Sequence, residues 1–350
     1  MEIVENKRIE MVAYEAFIRR ASKINLPFML KGSYVSRQYF CNPEIRIPAD
    51  LDWVYLNKIT DEKTAREIFN NWVTEITELD LNDGVKFRSF KENEFWRRID
   101  YAMADDFPTV NTDLVCWVDG KELDFGLDVS FNLDIEQPPI SLTYKPLKGE
   151  PFIIPNTVPL SLQVSWKIHQ TLVRPRFKDL FDLIYLVQHP TFDKNTLELS
   201  KKALINECII DNVDLNKLKH FLNYEIDKLF PNNSINETWD YWRHKINKQN
   251  YSGDILYYDR AENLTYIEHL PTNLSVFLNQ FKETLEEKGL NIGLISDLEI
   301  PPIKVETKMR EANAIFKFEQ NEDRQQDSEE SIEFTEEKLS FWNRIKKIFE

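Results

Sequence analysis

Glycine is scarce in this chain: eight residues among 350, where an average usage of about 7% would supply roughly 25. Each glycine is therefore expected where a positive φ or a close backbone approach requires it. Cysteine is scarcer still. Cys41, Cys116 and Cys208 lie far apart without a CxxC, and the five histidines show neither HExxH nor zinc-finger spacing, which argues against a disulfide framework and against zinc. The first residues, MEIVENKRIEMVAYEAF, hold no uninterrupted apolar stretch, and nowhere does an apolar run approach the ~18 residues of a membrane span. The expectation is a cytoplasmic protein with no membrane span, in which the sequons at Asn236 and Asn263 are chance matches. Positive charge is also in deficit. Lys and Arg number 44 against 59 Asp and Glu, a net charge of −15 and a pI near 5.0, opposite to the footprint of a protein that coats nucleic acid.

What is present is material for a core. Hydrophobic residues make up 42% of the chain, aromatics 13% and charged residues 29%, which excludes a wholly disordered chain. At 41.7 kDa the chain exceeds the usual reach of one core and implies two packed domains, or one with a large extension. Ile9, Val12, Ala13, Ala16, Phe17 and Ala21 recur at three- and four-residue spacing and predict a helix over 6–23, closed before Pro27; a short strand follows over 27–31. Further strands are predicted over 51–56, 84–90, 95–105 and 113–119, a helix over 61–77, and a hairpin turn at Gly120. From Glu122 to Phe131, Leu123, Phe125, Leu127, Val129 and Phe131 share one face while Glu122, Asp124, Gly126, Asp128 and Ser130 share the other, a half-buried strand with an acidic side.

Prolines at 138, 139, 146, 151, 155 and 159 predict an irregular connection, after which helical periodicity runs to about 290. The expected organisation is a sheet-bearing core over 1–150, a helical domain over 151–300 that completes a cleft, an acidic flexible linker over 301–337 and an amphipathic helix over 338–350. That last helix carries Leu339, Trp342, Ile345, Ile348 and Phe349 on one stripe with Arg344, Lys346 and Lys347 beside it, a pattern that docks on a partner, on the chain's own body or on a membrane surface.

Three separated segments carry the chemistry: Leu30-Lys31-Gly32-Ser33, the run from Arg46 to Asp50-Leu51-Asp52, and the strand bearing Asp128. Residues two apart on a strand point the same way, so Asp50 and Asp52 project together, and a neighbouring strand can bring Asp128 beside them. Asp124 shares the face of Asp128 and is an alternative third carboxylate. Such a cluster is costly through repulsion unless a hard cation neutralises it, and Mg²⁺ takes one or two carboxylates plus substrate phosphates. A Gly-Ser turn that opens a helix offers backbone N–H groups and a hydroxyl to a triphosphate. Lys31 reads mainly as an exposed strand-end lysine and His169 as a surface or core residue of its helix.

The order Gly-Ser, Asp-x-Asp, lone strand Asp resembles the polymerase β-like nucleotidyltransferase superfamily. FMLKGSYVSRQYF followed by RIPADLDWVYL looks like the AbiEii-type toxin nucleotidyltransferases, whose pattern runs Leu-Lys-Gly-Gly and then Arg-x-x-x-Asp-h-Asp; Ser33 stands where the second glycine is usual, as it does in the wider superfamily. A second block, Ser165-Trp-Lys167-Ile-His169 and then Arg174-Pro-Arg176-Phe-Lys178-Asp179-Leu-Phe-Asp182, is similar to the same family's lysine helix and paired aspartates, with Ser165-Trp166 in place of the usual Ala-Glu. Asp179 and Asp182 fall at i, i+3 on one helical face while Phe177, Leu180, Phe181 and Ile184 turn to the core; a buried ion network with Arg174, Arg176 or Lys178 is the other reading of this block.

The resemblance implies an α+β fold, the mixed sheet of the polymerase β-like nucleotidyltransferases with flanking helices followed by a mainly helical domain. It implies NMP transfer from an NTP to an acceptor hydroxyl, with Asp50, Asp52 and Asp128 at a two-metal Mg²⁺ site that Mn²⁺ can also fill. Gly32, Ser33, Arg46, Lys167, Asp179 and Asp182 would bind the nucleotide, and Asp128 would activate the acceptor. A toxin or abortive-infection, antiphage role is implied, with an RNA such as the tRNA 3′ end as acceptor and an antitoxin or defence-system protein as partner. Nucleotidylation of a protein or small molecule and a catalytically idle nucleotide-binding or adaptor module are the alternatives.

Overall fold

The structure, a computed structural model, describes residues 2–48, 50–99, 108–244 and 269–295, with the backbone alone for 2–7 and 244. The expected linker over 301–337 and helix over 338–350 lie outside the described residues. Along the chain the elements are α1 (Glu2–Ala21), β1 (Phe28–Lys31), α2 (Ser33–Ser36), β2 (Leu51–Tyr55), α3 (Glu62–Glu78), β3 (Val85–Phe87), β4 (Arg97–Arg98), β5 (Thr109–Val118), β6 (Lys121–Phe131), β7 (Ile140–Tyr144) and β8 (Phe152–Thr157), then α4 (Leu160–Val173), α5 (Phe177–Gln188), α6 (Lys194–Ile210), α7 (Leu215–Leu222), α8 (Ile235–His244) and α9 (Leu274–Glu287). The fold is α+β: a mixed sheet flanked by helices and followed by a helical part. None of the described helices is long and apolar enough to cross a membrane.

The longest ladder starts at a two-residue turn. Asp119 and Gly120 take φ of 49° and 83°, the paired positive values that match the twist of a tight hairpin, and β5 and β6 run antiparallel from it with Val118 opposite Lys121. The sheet order is β3-β5-β6-β2-β1-β8-β7, with β4 also paired to β5. β2 lies parallel to β6 and antiparallel to β1. The alternation of β6 decides which face is which: Phe125, Leu127, Val129 and Phe131 are buried beneath α1 and α3, and the acidic side faces away from those helices.

Several boundaries differ from the expected ones. The strand expected over 113–119 begins at Thr109, the one over 84–90 ends at Phe87, and of 95–105 only Arg97–Arg98 is a described strand, residues 100–107 lying outside the description. The proline-rich connection is a hairpin rather than irregular chain. β7 and β8 pair antiparallel with a register shift between Ile140 and Leu142, and β8 continues the sheet beside β1, Leu30 opposite Thr157. Pro155 is tolerated in β8 because it falls at the register shift, where the ladder needs no N–H donor from it. The expected boundary near 150 therefore falls inside this hairpin; the sheet ends at Thr157 and the helices begin at Leu160.

Aromatic packing holds α1 and α3 on the sheet. Trp72 of α3 stacks on Phe28 of β1 with centroids 3.8 Å apart and meets Phe17 of α1 and Trp53 of β2 edge-on. Two buried polar ties complete the attachment of α1. Arg20 grips Asp83 with both terminal nitrogens at 2.8 Å, and Glu15 accepts from Arg37 at 2.6 Å, from Tyr144 Oη at 3.0 Å and from the Leu147 N–H at 2.6 Å. The second tie fastens the turn after α2 to α1 and β7. In the helical part Phe177 of α5 is ringed by Phe230, Trp239, Trp242 and Phe277 at 5.1–5.8 Å, which fixes where the other side of α5 points.

Trp72→Ala removes the ring that joins α3, β1, β2 and α1. It is expected to cost about 3–5 kcal/mol, read as a lower urea midpoint with an unchanged slope.

Candidate active site

The register brings four polar side chains into one row across four strands. Lys31 of β1 pairs with Asp52 of β2, Asp52 with Asp128 of β6, and Asp128 with Asn111 of β5. Two carboxylates thus lie side by side on parallel neighbours, and the cations near them are few: Lys31 Nζ stands 3.9 Å from Asp52 Oδ1. Asn111 Nδ2 donates to Asp128 Oδ1 at 2.5 Å, and its own Oδ1 is buried without a partner among the described residues. Burial, then the charges of Asp52 and Asp50, push the Asp128 carboxyl from its ordinary 3.8 up to about 7, against the pull of Asn111 and Lys31. Asp50 itself is exposed, just ahead of β2.

Gly32 occupies the mouth of this row. Its φ is +74°, and a Cβ there would sit 2.2 Å from Asp52 Oδ2. Both the backbone and the space therefore demand glycine. Its carbonyl accepts from Gln163 of α4 at 2.9 Å and from Ser36 Oγ at 3.2 Å, so the turn into α2 is tied to α4 as well as to itself.

Ser33 begins a chain of buried polar contacts that crosses from the sheet to the helices. Arg46, fully buried, donates from Nη2 to Ser33 Oγ at 3.1 Å and from Nε to Asp182 Oδ1 at 2.8 Å. Lys167 Nζ stands 2.9 Å from Asp182 Oδ2 and 2.7 Å from Asp179 Oδ1. Arg176 closes the chain, with Nε 2.6 Å from Asp179 Oδ2. Burial alone would raise both carboxyls. Arg176, Lys167 and Lys178 outweigh it at Asp179, and Arg46 and Lys167 at Asp182, so both are held below the usual carboxylate range. Lys167 is raised: burial opposes its charge, but the two aspartates prevail. The i, i+3 spacing on α5 is what lets both reach one ammonium.

The structure thus brings Asp52, Asp128 and Gly32 together in one cluster and Ser33, Arg46, Lys167, Asp179 and Asp182 in an adjoining buried one. Asp124 is half-buried, four residues before Asp128 on the same strand face. His169 is fully buried with Nε2 2.7 Å from Asp211 Oδ2, facing α6 rather than the acidic row. Two site residues were not singled out in the sequence. Asn111 could have been found by counting equal steps from the Asp119-Gly120 turn, which pairs it with Asp128. Lys178, read from the sequence only as a network candidate, lies on the first turn of α5; burial, then Arg176 and Arg46, press its pKa down to about 8 despite Asp50 and Asp179.

The acidic row fits a hard divalent cation. Among the described residues no group of three or more His, Cys, Asp or Glu side chains would enclose a metal by itself, but Mg²⁺ needs only one or two carboxylates when substrate phosphates complete its shell. Asp52 and Asp128 supply oxygen donors alone, and burial together with the neighbouring charges of Asp52 and Asp50 raises the Asp128 carboxyl, while Gly32 lets the Asp52 carboxylate lie close against the turn.

The chain matches the family model described as AbiEii, nucleotidyl transferase AbiEii toxin, type IV toxin–antitoxin system, over residues 18–254. Among solved structures it is similar to JHP933 from Helicobacter pylori, at 11% identity over 80% of this chain and 91% of that one with a TM-score of 0.41. It is also similar to an H. pylori protein described as a "putative nucleotidyltransferase", at 14% identity over 60% of this chain and 83% of that one with a TM-score of 0.33. No curated protein matches.

Two outcomes follow from this geometry. Asp182→Ala strands the buried charges of Arg46 and Lys167 and is expected to cost about 3–5 kcal/mol, measured as the shift of the urea midpoint. Asp128 binds its proton more tightly folded than unfolded, so the metal-free protein loses stability as pH rises from about 4 to about 7. Asp128→Asn removes that loss: in EDTA its melting point should exceed the wild type's at pH 8, with the gap closing towards pH 4.

Proposed function

The chain belongs to the AbiEii nucleotidyl transferase toxin family, and on that premise we propose that it transfers an NMP from an NTP to an acceptor hydroxyl, acting as the toxin of a type IV toxin–antitoxin pair with an antitoxin as partner. The observation that carries the reading is the pairing of Asp52 with Asp128 beside Gly32. Gly32 and Ser33 present backbone N–H groups and a hydroxyl to the triphosphate. Arg46 orients Ser33, and Lys167 with Asp179 and Asp182 orients Arg46.

In the transfer an acceptor oxygen bonds to the α-phosphorus as the α–β bridging bond breaks and pyrophosphate leaves. The acceptor's proton passes to the Asp128 carboxylate, which the strand register sets beside Asp52. Mg²⁺, held by Asp52 and Asp128 with Asp50 at the mouth, would supply the positive charge that neutralises the phosphates and steadies entering and leaving oxygens. The protein's own share is positioning: the row is built on central strands and the glycine turn is clamped from α4.

The acceptor we favour is an RNA end such as the tRNA 3′ terminus. A terminus inserted into the cleft needs few phosphate contacts, which a chain of net charge −15 can supply more readily than an extended basic footprint. Protein or small-molecule hydroxyls are the competing acceptors.

Label transfer from each α-³²P NTP, with Mg²⁺, total RNA and lysate protein, tests the proposal. Wild type should label RNA, and Asp50→Ala and Asp52→Ala should lower transfer by about a hundredfold or more. Label in protein would replace the RNA acceptor, and nucleotide binding without transfer to any acceptor would refute the enzyme.

A further inference from the structure

Asn111 is placed where packing alone would favour an apolar residue. It lies opposite Asp128 on β5 and is only 8% exposed. Its Nδ2 donates to two acceptors on β6, Asp128 Oδ1 at 2.5 Å and the Leu127 carbonyl at 3.4 Å. A carboxylate and a carbonyl both require a donor, so the amide can stand only one way round. Its Oδ1 is then buried without a partner among the described residues, an unfavourable state for an acceptor. β6 makes room for this amide. Gly126 stands in the interior of that strand, on the face of Asp128, without the positive φ that calls for glycine elsewhere in the chain. A Cβ there would meet Asn111 Nδ2 at 3.3 Å. Glycine weakens a strand interior, so β5 and β6 both give up stability to the same contact. That contact divides the Asp128 carboxylate: Oδ1 is taken by Asn111, and Oδ2 is in no hydrogen bond or ion pair among the described residues. Asp128 lies between Asn111 on β5 and Asp52 on β2, so the oxygen that Asn111 does not hold is the one left to the acidic row.

We infer that Asn111 is a positioning residue of the transfer: it holds Asp128 Oδ1 from the side opposite Asp52, which leaves Oδ2 to take the acceptor's proton as the acceptor oxygen bonds to the α-phosphorus and pyrophosphate leaves. The inference rests on the nucleotidyltransferase reading above and adds the residue that orients its base. Asn111 itself touches neither nucleotide nor acceptor in this role. Asp52 repels Asp128 along the row, and a carboxylate held by nothing on its other side would rotate to relieve that repulsion. An amide suits the task because it donates a hydrogen bond without a positive charge, which would pair with the carboxylate and compete with a cation.

Label-transfer kinetics of the full chain give kcat and KM for NTP in wild type, Asn111→Leu, Asn111→Ala and Asn111→Gln. Asn111→Leu keeps the volume without the donor and should lower kcat about tenfold or more, the loss of one hydrogen bond to a charged group, with KM for NTP unchanged. Asn111→Ala, which crowds nothing, should show the same split, and Asn111→Gln, which retains the amide, should recover part of kcat. A second readout needs no activity. In EDTA, Asn111→Leu should shift the urea midpoint less in an Asp128→Ala background than in wild type, because the bond it removes is already gone. Wild-type kcat in Asn111→Leu or Asn111→Ala overturns the inference. So does a loss carried by KM for NTP, which would make Asn111 a nucleotide contact, and so do additive midpoint shifts, which would mean that the two side chains do not meet. Wild type that labels no acceptor refutes the enzyme and the positioning role with it, whereas full activity without the Asn111 amide refutes the positioning role and leaves the enzyme.

Discussion

Asp52 and Asp128 repel each other, and the sheet leaves them no alternative position. β2 and β6 are parallel neighbours whose other faces, Leu51, Trp53 and Tyr55 on one strand and Leu127, Val129 and Phe131 on the other, are buried. A slip of one residue would drive the carboxylates into that core and the aromatics into water, so the apolar side enforces a juxtaposition that the acidic side resists. What surrounds the pair answers the repulsion. Asn111 donates to Asp128, Lys31 approaches Asp52, and Gly32 withholds a side chain. Burial first, and then the charges of Asp52 and Asp50, raise the pKa of the metal-free Asp128 carboxyl, a cost that a bound cation would relieve.

The buried ion network transmits this placement to the helices. Ser33, Arg46, Asp182, Lys167, Asp179 and Arg176 form one continuous run from the turn after β1 to the start of α5. Buried charges of this kind add little to net stability but penalise any other arrangement of the same elements. Here the arrangement they specify is the angle of α5 to the sheet. Phe177 pins the same helix from the opposite side through its aromatic ring, so the first turn of α5 is held between an apolar clamp and an ionic one.

Much of this was legible before any coordinates. The alternation of 122–131 placed Asp128 on a half-buried strand with the correct face, and the Gly120 turn carried the register that pairs it with Asn111, although Asn111 itself was passed over. The β7–β8 hairpin was not legible. Its prolines read as irregular chain, and only a bulge at Pro155, which has no local signature, makes that one compatible with a sheet. The end of the sheet falls later than expected for the same reason, by the length of the strand that pairs with β1.

By itself the sequence determined which residues share a face: Asp124 with Asp128, Asp179 with Asp182. Those relations follow from the periods of strand and helix, which are local. Only the tertiary structure decided which carboxylate meets which cation. Asp52 is set against Asp128, Lys167 is committed to Asp179 and Asp182, and Lys178 stays without an ion-pair partner among the described residues. The choice among chemically equivalent lysines and aspartates depends on distances between segments far apart in the chain, and those are set by the packing of the whole core.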